Sequence, residues 1–121
     1  MADPELDDAA HWAIEAARAA DDKKGVDTLV LAVGEVLAIT EHFVITHGTN
    51  SRQVKTIADA VEERLTSLEG PKPRRIEGLD DLTWVLLDYG EFVVHVFNEE
   101  SRRYYELERL WADVPKVDWS E

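Results

Sequence analysis

The spacing of hydrophobic and polar residues changes several times along the chain, and the first regular pattern predicts a helix. Apolar residues recur every three or four positions from Leu6 to Ala20, which is the spacing of one face of an α-helix. Pro4 suits the first helical position, and Lys23-Lys24-Gly25 supplies cations and a glycine at the other end. We therefore predict a helix over residues 4 to about 22.

Two segments of strand length follow this helix. Thr28 to Val33 is apolar after its first residue, which predicts a strand buried on both faces and therefore central in a sheet. Gly34 ends this strand. Phe43, Val44 and Ile45 lie within a second predicted strand that runs from residue 42 to residue 47.

A second helix is predicted after Gly48-Thr49-Asn50-Ser51, because the Asn50 side chain can accept a hydrogen bond from a free N–H of the first turn. Six apolar residues then follow at helical spacing: Val54, Ile57, Ala58, Val61, Leu65 and Leu68. Gly70-Pro71-Lys72-Pro73 ends the helix, since proline cannot continue it. Arg74 to Glu77 forms a short extended segment in this prediction.

The stretch from Trp84 to Phe97 predicts a β-hairpin. Its two halves are rich in β-branched and aromatic residues and flank Asp88-Tyr89-Gly90-Glu91, with glycine where the chain must reverse. Ser101 to Trp111 then mixes charged residues with aromatic and branched ones. This composition suits a short amphipathic helix that grips another macromolecule, or one that fills a core.

The predicted order of elements is helix, strand, strand, helix, weak strand, strand, strand and short helix. This order describes an α/β or α+β domain with a mixed β-sheet flanked by helices. A length of 121 residues suits a single domain over residues 1–121. In this prediction the sheet and its helices occupy residues 26–112, and residues 113–121 form a loose C-terminal tail.

Composition narrows the class of protein. With 45% hydrophobic and 32% charged residues the chain is typical of a soluble globular protein, and no run approaches the ~18 apolar residues of a membrane span. The acidic N-terminus lacks the pattern of a secretory signal, and the absence of cysteine excludes disulfides and thiolate metal sites. We therefore expect a protein of the bacterial cytoplasm or of an organelle, with no membrane partner.

The formal net charge of -13 bears on the class of partner. A phosphate backbone would be repelled over most of such a surface, which argues against direct, sequence-specific nucleic-acid binding. A basic protein would be attracted. Like charge that merely keeps the protein in solution is the alternative explanation.

The spacing of the histidines in the sequence does not match that of a metal-binding site. His42 and His47 lie an odd number of residues apart on a strand, so their side chains leave from opposite faces. His95 shares a strand face with Val93 and Phe97, and we predict that it is buried and hydrogen-bonded to Asp88 or to the backbone of Trp84.

Catalytic motifs are absent from the sequence. An acid and base pair drawn from Asp88, Glu91, Glu106 and Glu108, or Ser101 as a nucleophile near His95, has no support from spacing. Free N–H groups after Gly48 could bind an anion, as at the Gly-Ser helix start of nucleotidyltransferases. Those enzymes need paired acids one residue apart on a nearby strand, which this chain lacks, so a capped structural turn is the better interpretation.

Several separated motifs together resemble one family. They are Gly48-Thr49-Asn50-Ser51-Arg52-Gln53-Val54 with Ile57-Ala58-Asp59, then Trp84-Val85-Leu86-Leu87-Asp88-Tyr89-Gly90, Val94-His95-Val96-Phe97, and Tyr105-x-Leu107-Glu108-x-Leu110-Trp111. In this order, from about Asp7 to Pro115, they closely resemble the ribosomal silencing factors, the Iojap-like family. Local departures at Glu41-His42-Phe43 and at Thr83 lie outside these motifs.

The resemblance implies a nucleotidyltransferase-like α/β fold that lacks the catalytic carboxylates. It also implies a factor without enzymatic activity or cofactor that binds the large ribosomal subunit through its fourteenth large-subunit protein. Such a factor blocks association with the small subunit and represses translation under nutrient limitation. A homodimer is a further expectation off the ribosome.

We predict that the partner is contacted by Trp84, Asp88, Tyr105, Glu108 and Trp111, with Glu99, Glu100 and Arg102 as charges at the rim. Core packing is the alternative role for the tryptophans. Two other functions stay open at this point: a nucleotide-handling enzyme of the nucleotidyltransferase type, and a homodimeric adaptor unrelated to ribosomes.

Overall fold

The structure, a computed structural model, describes residues 4–34 and 40–120, and of residues 4–9 it describes the backbone only. The side chain of Leu6, the first residue of the predicted apolar pattern, therefore lies outside the described residues. The elements are α1 (Pro4–Asp22), β1 (Val26–Ala32), β2 (His42–Gly48), α2 (Ser51–Ser67), β3 (Arg75–Glu77), β4 (Trp84–Asp88), β5 (Phe92–Asn98), α3 (Glu99–Tyr105) and α4 (Leu107–Leu110). Their order is the predicted one, except that the last helix is divided in two at Glu106, which has a positive φ of 45°.

The strands form one five-stranded sheet in the order β1-β2-β5-β4-β3. β2 and β5 are parallel, and the other neighbours are antiparallel. The parallel pair requires a crossover on one face of the sheet, and α2 lies within it. The predicted α/β fold with a mixed sheet flanked by helices is thereby confirmed.

Helices α1 and α2 cover one face of the sheet. Alanines on α1, among them Ala13, Ala16 and Ala17, are fully buried, and their small side chains let the helix approach closely. The stripe predicted on α2 is buried as far as Leu65. Leu68 is 47% exposed, so its predicted burial is wrong: it lies beyond the last helical residue, at the C-cap.

The opposite face carries a second, smaller core. Leu31, Val33, Ile45 and Phe97 form its buried centre. Partly buried side chains from β1, β2, β4, α4 and the segment after it pack against this centre: Leu29, Phe43, Trp84, Leu107, Trp111 and Val114. This second face therefore brings the hairpin and the C-terminal helices together.

β1 lies at the edge of the sheet, so its predicted central position is wrong. The side chains of β1 are nevertheless buried on both faces, because Val30 belongs to the main core and Leu31 to the smaller one. The outer backbone of β1 is also covered. Val117 donates its N–H to the carbonyl of Val30 at 2.8 Å, and Ala32 donates to the carbonyl of Pro115 at 2.9 Å.

The C-terminal segment, residues 113–120, is therefore not the loose tail that was predicted. Trp119 packs against the main core, and its Nε1 donates to the carbonyl of Thr28 at 3.0 Å. Arg18 on α1 donates in turn to the carbonyl of Trp119 at 2.9 Å. These contacts close an edge strand whose unpaired N–H and C=O groups would otherwise be exposed.

Two glycines after helices are needed for close approach. Lys24, with a φ of 68°, takes the left-handed position after α1, and a Cβ on Gly25 would lie 2.6 Å from Thr46 Oγ1. Glu69, with a φ of 60°, takes the left-handed position after α2, and a Cβ on Gly70 would lie 2.6 Å from the Trp12 ring. The glycine thus packs the helix end onto its neighbour while the preceding residue adopts the positive φ.

Candidate protein-binding surface

Helices α3 and α4 expose large apolar side chains. Tyr104 is 80% exposed, Tyr105 52% and Leu110 75%. We call these three residues, together with Trp84, the aromatic surface. Trp84 is half-buried, and its ring centroid lies 5.0 Å from that of Tyr105 and 4.7 Å from that of Phe97. Apolar side chains this exposed on neighbouring short helices are a recognised sign of a binding surface.

The local sequence explains why α3 begins and ends where it does. Asn98 caps it by accepting a hydrogen bond from the N–H of Ser101 at 2.7 Å. Glu99 and Glu100 lie in the first turn and Arg103 in the last, so their charges complement the helix dipole. Glu99 also pairs with Arg103 at 2.7 Å, while Glu100 is exposed.

Arg102 is buried, only 6% exposed, so its predicted role as a rim charge is wrong. Its Nε donates to Glu108 Oε2 at 3.0 Å, and its Nη1 donates to the carbonyl of Val26 at 2.9 Å and lies 3.0 Å from His47 Nδ1. One guanidinium thus joins α3 to α4 and to the first two strands. Glu108, predicted as a partner contact, is engaged in this internal pair.

The pKa of His47 is lowered, first by burial and then by the charge of Arg102. A guanidinium can only donate, so His47 Nδ1 must accept, which requires a neutral ring. His42 lies on the other face of β2, as predicted, and burial lowers its pKa as well. Among the described residues, no three His, Cys, Asp or Glu side chains are grouped closely enough to hold a metal ion.

His95 is buried and hydrogen-bonded, but its partner differs from both predicted ones. The indole Nε1 of Trp84 donates to His95 Nδ1 at 3.1 Å. Trp84 pairs with Phe97 and Leu86 pairs with His95, so Trp84 and His95 are diagonal neighbours on one face. Burial lowers the pKa of His95 to about 4, which keeps the ring neutral and able to accept from the indole.

Asp88 lies at the opposite end of β4 from Trp84, about 13 Å away along the strand. Its Oδ1 accepts from the N–H of Gly90 at 2.8 Å and closes the predicted hairpin turn. Its Oδ2 lies 3.7 Å from Arg75 Nη2. The structure therefore brings Trp84 and Tyr105 into contact but keeps Asp88 apart from them.

An open cleft of about 390 Å³ lies on the second face of the sheet between these two ends of β4. Its apolar lining includes Phe43, Leu86 and Val93. Its charged lining is supplied by Arg74, Arg75 and Asp88. The aromatic surface, the cleft and these charged residues thus follow one another along a single face.

Trp111 lies mainly within the smaller core. Its ring packs edge-on against Phe43, with centroids 5.7 Å apart, and the residue is half-buried. Tyr104 and Leu110 are more exposed than any tryptophan, and they are not among the contact residues predicted from the sequence. In helices as short as α3 and α4, spacing alone does not tell which side faces the sheet.

The turn before α2 is satisfied by its own side chains. Asn50 Oδ1 accepts from the N–H of Gln53 at 2.9 Å, as the sequence predicts, and Gln53 Oε1 accepts from the N–H of Thr49 at 2.7 Å. These bonds use N–H groups that an anion would otherwise bind. A structural cap accounts for this turn.

No helix within residues 4–34 and 40–120 has the length and apolar character needed to cross a membrane.

Comparison with known proteins gives consistent matches. A family model described as "Ribosomal silencing factor during starvation" matches residues 6–121. A ribosomal silencing factor of Bacillus subtilis is 40% identical over 103 residues, which cover 85% of this chain and 86% of that protein. A crystal structure of a Chromobacterium violaceum protein superposes with a TM-score of 0.81 at 32% identity, covering 85% of each chain.

A more distant match comes from mouse. The protein named "Mitochondrial assembly of ribosomal large subunit protein 1" is 32% identical over 88 residues, which cover 71% of this chain and 39% of that protein.

Proposed function

Starting from the premise that the chain belongs to the ribosomal silencing factor family, we propose that it binds the large ribosomal subunit and blocks its association with the small subunit. Family membership by itself gives a ribosome-associated silencing role and a regulatory rather than catalytic protein. The proposal adds the subunit, the docking surface and the steric mechanism. Translation would fall as large subunits are occupied when nutrients are scarce.

The aromatic surface is the observation that carries this proposal. Tyr104, Tyr105 and Leu110 are 80%, 52% and 75% exposed, and the ring of Tyr105 packs against the half-buried Trp84. Aromatic side chains at the centre of an interface contribute ~2 kcal/mol or more each when a partner excludes water from them. A partner would therefore gain much of its affinity here.

Charge supports a basic protein as that partner. The net charge of -13 would steer the chain toward an exposed basic protein on the ribosome and away from most of its RNA. We take this protein to be the fourteenth protein of the large subunit, as the family resemblance implies. The name of the mouse relative refers to the same subunit.

The proposed mechanism is steric: the bound chain occupies space that the small subunit would need. A chain of 13.7 kDa seated on the face of the large subunit that meets the small one would prevent their contact. No bond needs to be made or broken. The residues that matter are those that place the chain and hold it there: Trp84, Tyr105, Tyr104 and Leu110 as apolar anchors, with Glu99, Glu100 and Asp88 as flanking charges.

Sedimentation with isolated subunits tests the proposal. The chain is expected to cosediment with large subunits, to remain in the supernatant with small ones, and to reduce the formation of whole ribosomes. Failure to bind the large subunit would contradict it.

A pair of matched variants locates the surface. Tyr104→Ala with Leu110→Ala should weaken large-subunit binding at least tenfold with an unchanged unfolding midpoint, because both side chains are solvent-exposed. Leu68→Ala with Leu79→Ala removes apolar side chains that are also exposed but lie outside α3 and α4, and should leave binding unchanged. Equal losses from the two pairs would place the docking surface elsewhere.

Two alternative functions were left open by the sequence: a nucleotidyltransferase-type enzyme and a homodimeric adaptor. The capped turn before α2 gives the nucleotidyltransferase alternative no support, since the N–H groups of Thr49 and Gln53 already bond to side chains of the turn itself. A homodimer would bury the same aromatic surface. If so, the Tyr104→Ala and Leu110→Ala variant would be monomeric at concentrations where the wild type is dimeric, as equilibrium sedimentation would measure.

A further inference from the structure

The loop between α2 and β3 concentrates positive charge in an otherwise acidic chain. Between Glu69 and Glu77 lie Lys72, Arg74 and Arg75, with no acid among them, and no other stretch between two consecutive acids holds three basic residues. All three side chains are exposed. We call these three residues the basic rim.

The basic rim is available to a partner. Within residues 4–34 and 40–120, Lys72 and Arg74 have no ion-pair partner, whereas Arg18, Lys55 and Arg64 are each paired with an acid. Arg75 has only long contacts, 3.5 Å to Glu77 and 3.7 Å to Asp88, and its side chain is 65% exposed. Exposed pairs of this kind contribute little and exchange readily for a better partner.

The backbone holds the basic rim in place. Pro71 and Pro73 fix their own φ angles and restrict the residues before them to extended conformations. Arg74 donates its N–H to the carbonyl of Asp88 at 2.7 Å, and its guanidinium lies against Gly90 in the hairpin turn. Cations on such a restrained loop lose little conformational entropy when they bind.

Two residues of the basic rim, Arg74 and Arg75, line the cleft on the face that also carries Trp84 of the aromatic surface. Trp84 and Asp88 occupy the two ends of β4 and point to one side, and Asp88 pairs in register with Arg75 on β3. The separation of about 13 Å along β4 is well within the width of an ordinary protein interface. A partner surface that covers one end would therefore also meet the other.

We propose that the basic rim binds phosphate groups of ribosomal RNA next to the protein on which the aromatic surface docks, an inference that rests on the proposed function. Ribosomal proteins are generally basic and would repel the rim, whereas the RNA around them offers phosphates. The acidic and aromatic part of the face then meets protein, and the basic part meets RNA. Such contacts are independent of base sequence and fix the orientation of the bound chain.

Salt dependence of binding tests this proposal. Lys72→Gln, Arg74→Gln and Arg75→Gln in one chain should lower the slope of log affinity against log salt by about 2 and weaken large-subunit binding roughly tenfold at low salt. The matched control carries Lys23→Gln, Arg52→Gln and Lys55→Gln, which remove equal charge from exposed positions on or near the helices of the other face. The control should keep the wild-type slope.

The outcomes separate this proposal from the function on which it rests. If the wild type binds large subunits and both triple variants behave like it, the basic rim has no such role and the proposed function stands. Equal losses in both triple variants would show a general charge effect and also overturn the proposal. If the wild type does not bind, the proposed function itself fails.

A photocrosslinker in place of Arg74 distinguishes RNA from an acidic protein. Crosslinks to ribosomal RNA in the complex with intact large subunits are expected. Crosslinks that go to protein alone would overturn the proposal, and circular dichroism of the variant checks that the fold is kept.

Discussion

Arg102 shows that a side chain's partners, rather than its type, decide its role. In the sequence it is one of two adjacent arginines in a charged segment, which is typical of a solvated surface. In the fold its guanidinium is buried and bonded to Glu108, to the carbonyl of Val26 and to His47. Arg103, the next residue, is 78% exposed in its side chain and pairs with Glu99 on the same helix.

We expect Arg102→Gln to destabilise the fold by about 2 kcal/mol or more, because it removes the charge partner of Glu108 and the donor to the Val26 carbonyl and to His47 Nδ1. Arg103→Gln should change stability by less than about 0.5 kcal/mol. Urea unfolding followed by circular dichroism measures both. Similar values for the two variants would mean that Arg102 does not hold α3 and α4 in place.

Glu108→Arg should likewise act through the fold. It would place a second cation beside the buried Arg102, and we expect a loss of about 2 kcal/mol or more in unfolding free energy. Weaker ribosome binding by this variant would then report damaged structure. A variant as stable as the wild type would restore Glu108 as a direct contact.

Stability should also depend on His95 below neutral pH. Its pKa is about 4 in the fold and 6.5 in the unfolded chain, so the unfolded chain binds more protons between these values. The stabilising contribution is complete above pH 6.5 and is lost as the pH falls toward 4, by up to about 3 kcal/mol.

His95→Gln should flatten this pH dependence while it keeps an acceptor for the indole of Trp84. Unfolding free energies from urea titrations at pH 7, 5.5 and 4 would show it. An unchanged pH dependence in the variant would assign the acid sensitivity to other groups, such as His42 and His47, whose pKa values are also lowered by burial.

β1 shows how an edge strand can be as well buried as a central one. Its faces are covered by α1 and by the smaller core, and its outer backbone pairs with residues 115 and 117 of the C-terminal segment. The apolar run from Thr28 to Val33 reports burial on both faces and carries no information about what lies beside the strand.

Removal of residues 116–121 should therefore have two effects. The loss of Trp119 packing and of the bond from Val117 to Val30 should lower stability by about 2 kcal/mol or more. The freed edge of β1 should promote concentration-dependent association, which analytical ultracentrifugation would detect. A monomeric truncated chain of wild-type stability would show that the segment contributes nothing to the fold.

The whole molecule has two unlike faces. One is closed by α1 and α2, while the other is only partly covered by α3, α4 and the residues after α4 as far as Val114. Tyr105, which packs against Trp84, and the open cleft with Arg74 and Arg75 in its lining both lie on the second face. The second face is therefore the better candidate for a surface that binds another macromolecule.

Steric silencing makes a prediction about stoichiometry. Inhibition of subunit joining should saturate at one chain per large subunit, and inhibition should follow occupancy in every variant. Joining assays with increasing amounts of the chain, alongside direct binding measurements, would test this. Inhibition that continues to rise with time at fixed occupancy would indicate a catalytic process.

Much of this architecture can be predicted from the amino-acid sequence alone. The helices, the five strands and the turn at Gly90 were predictable, because each depends on residues close in sequence: the stripe from Val54 to Leu65, the Asn50 cap, and alternating β-branched residues in the hairpin. The separated motifs likewise predicted the family, since they combine in one order along nearly the whole chain.

Only the tertiary structure decided which side chains are buried and which are exposed to solvent. The pairing of the C-terminal segment with β1 joins residues far apart in sequence. The burial of Arg102 and the hydrogen bond from the indole of Trp84 to His95 depend on how each element is rotated against its neighbours. A local pattern shows that a residue is apolar or charged. What covers it depends on the packing of elements that the pattern does not contain, so the exposure of Tyr104 and Leu110 became evident only in the folded chain.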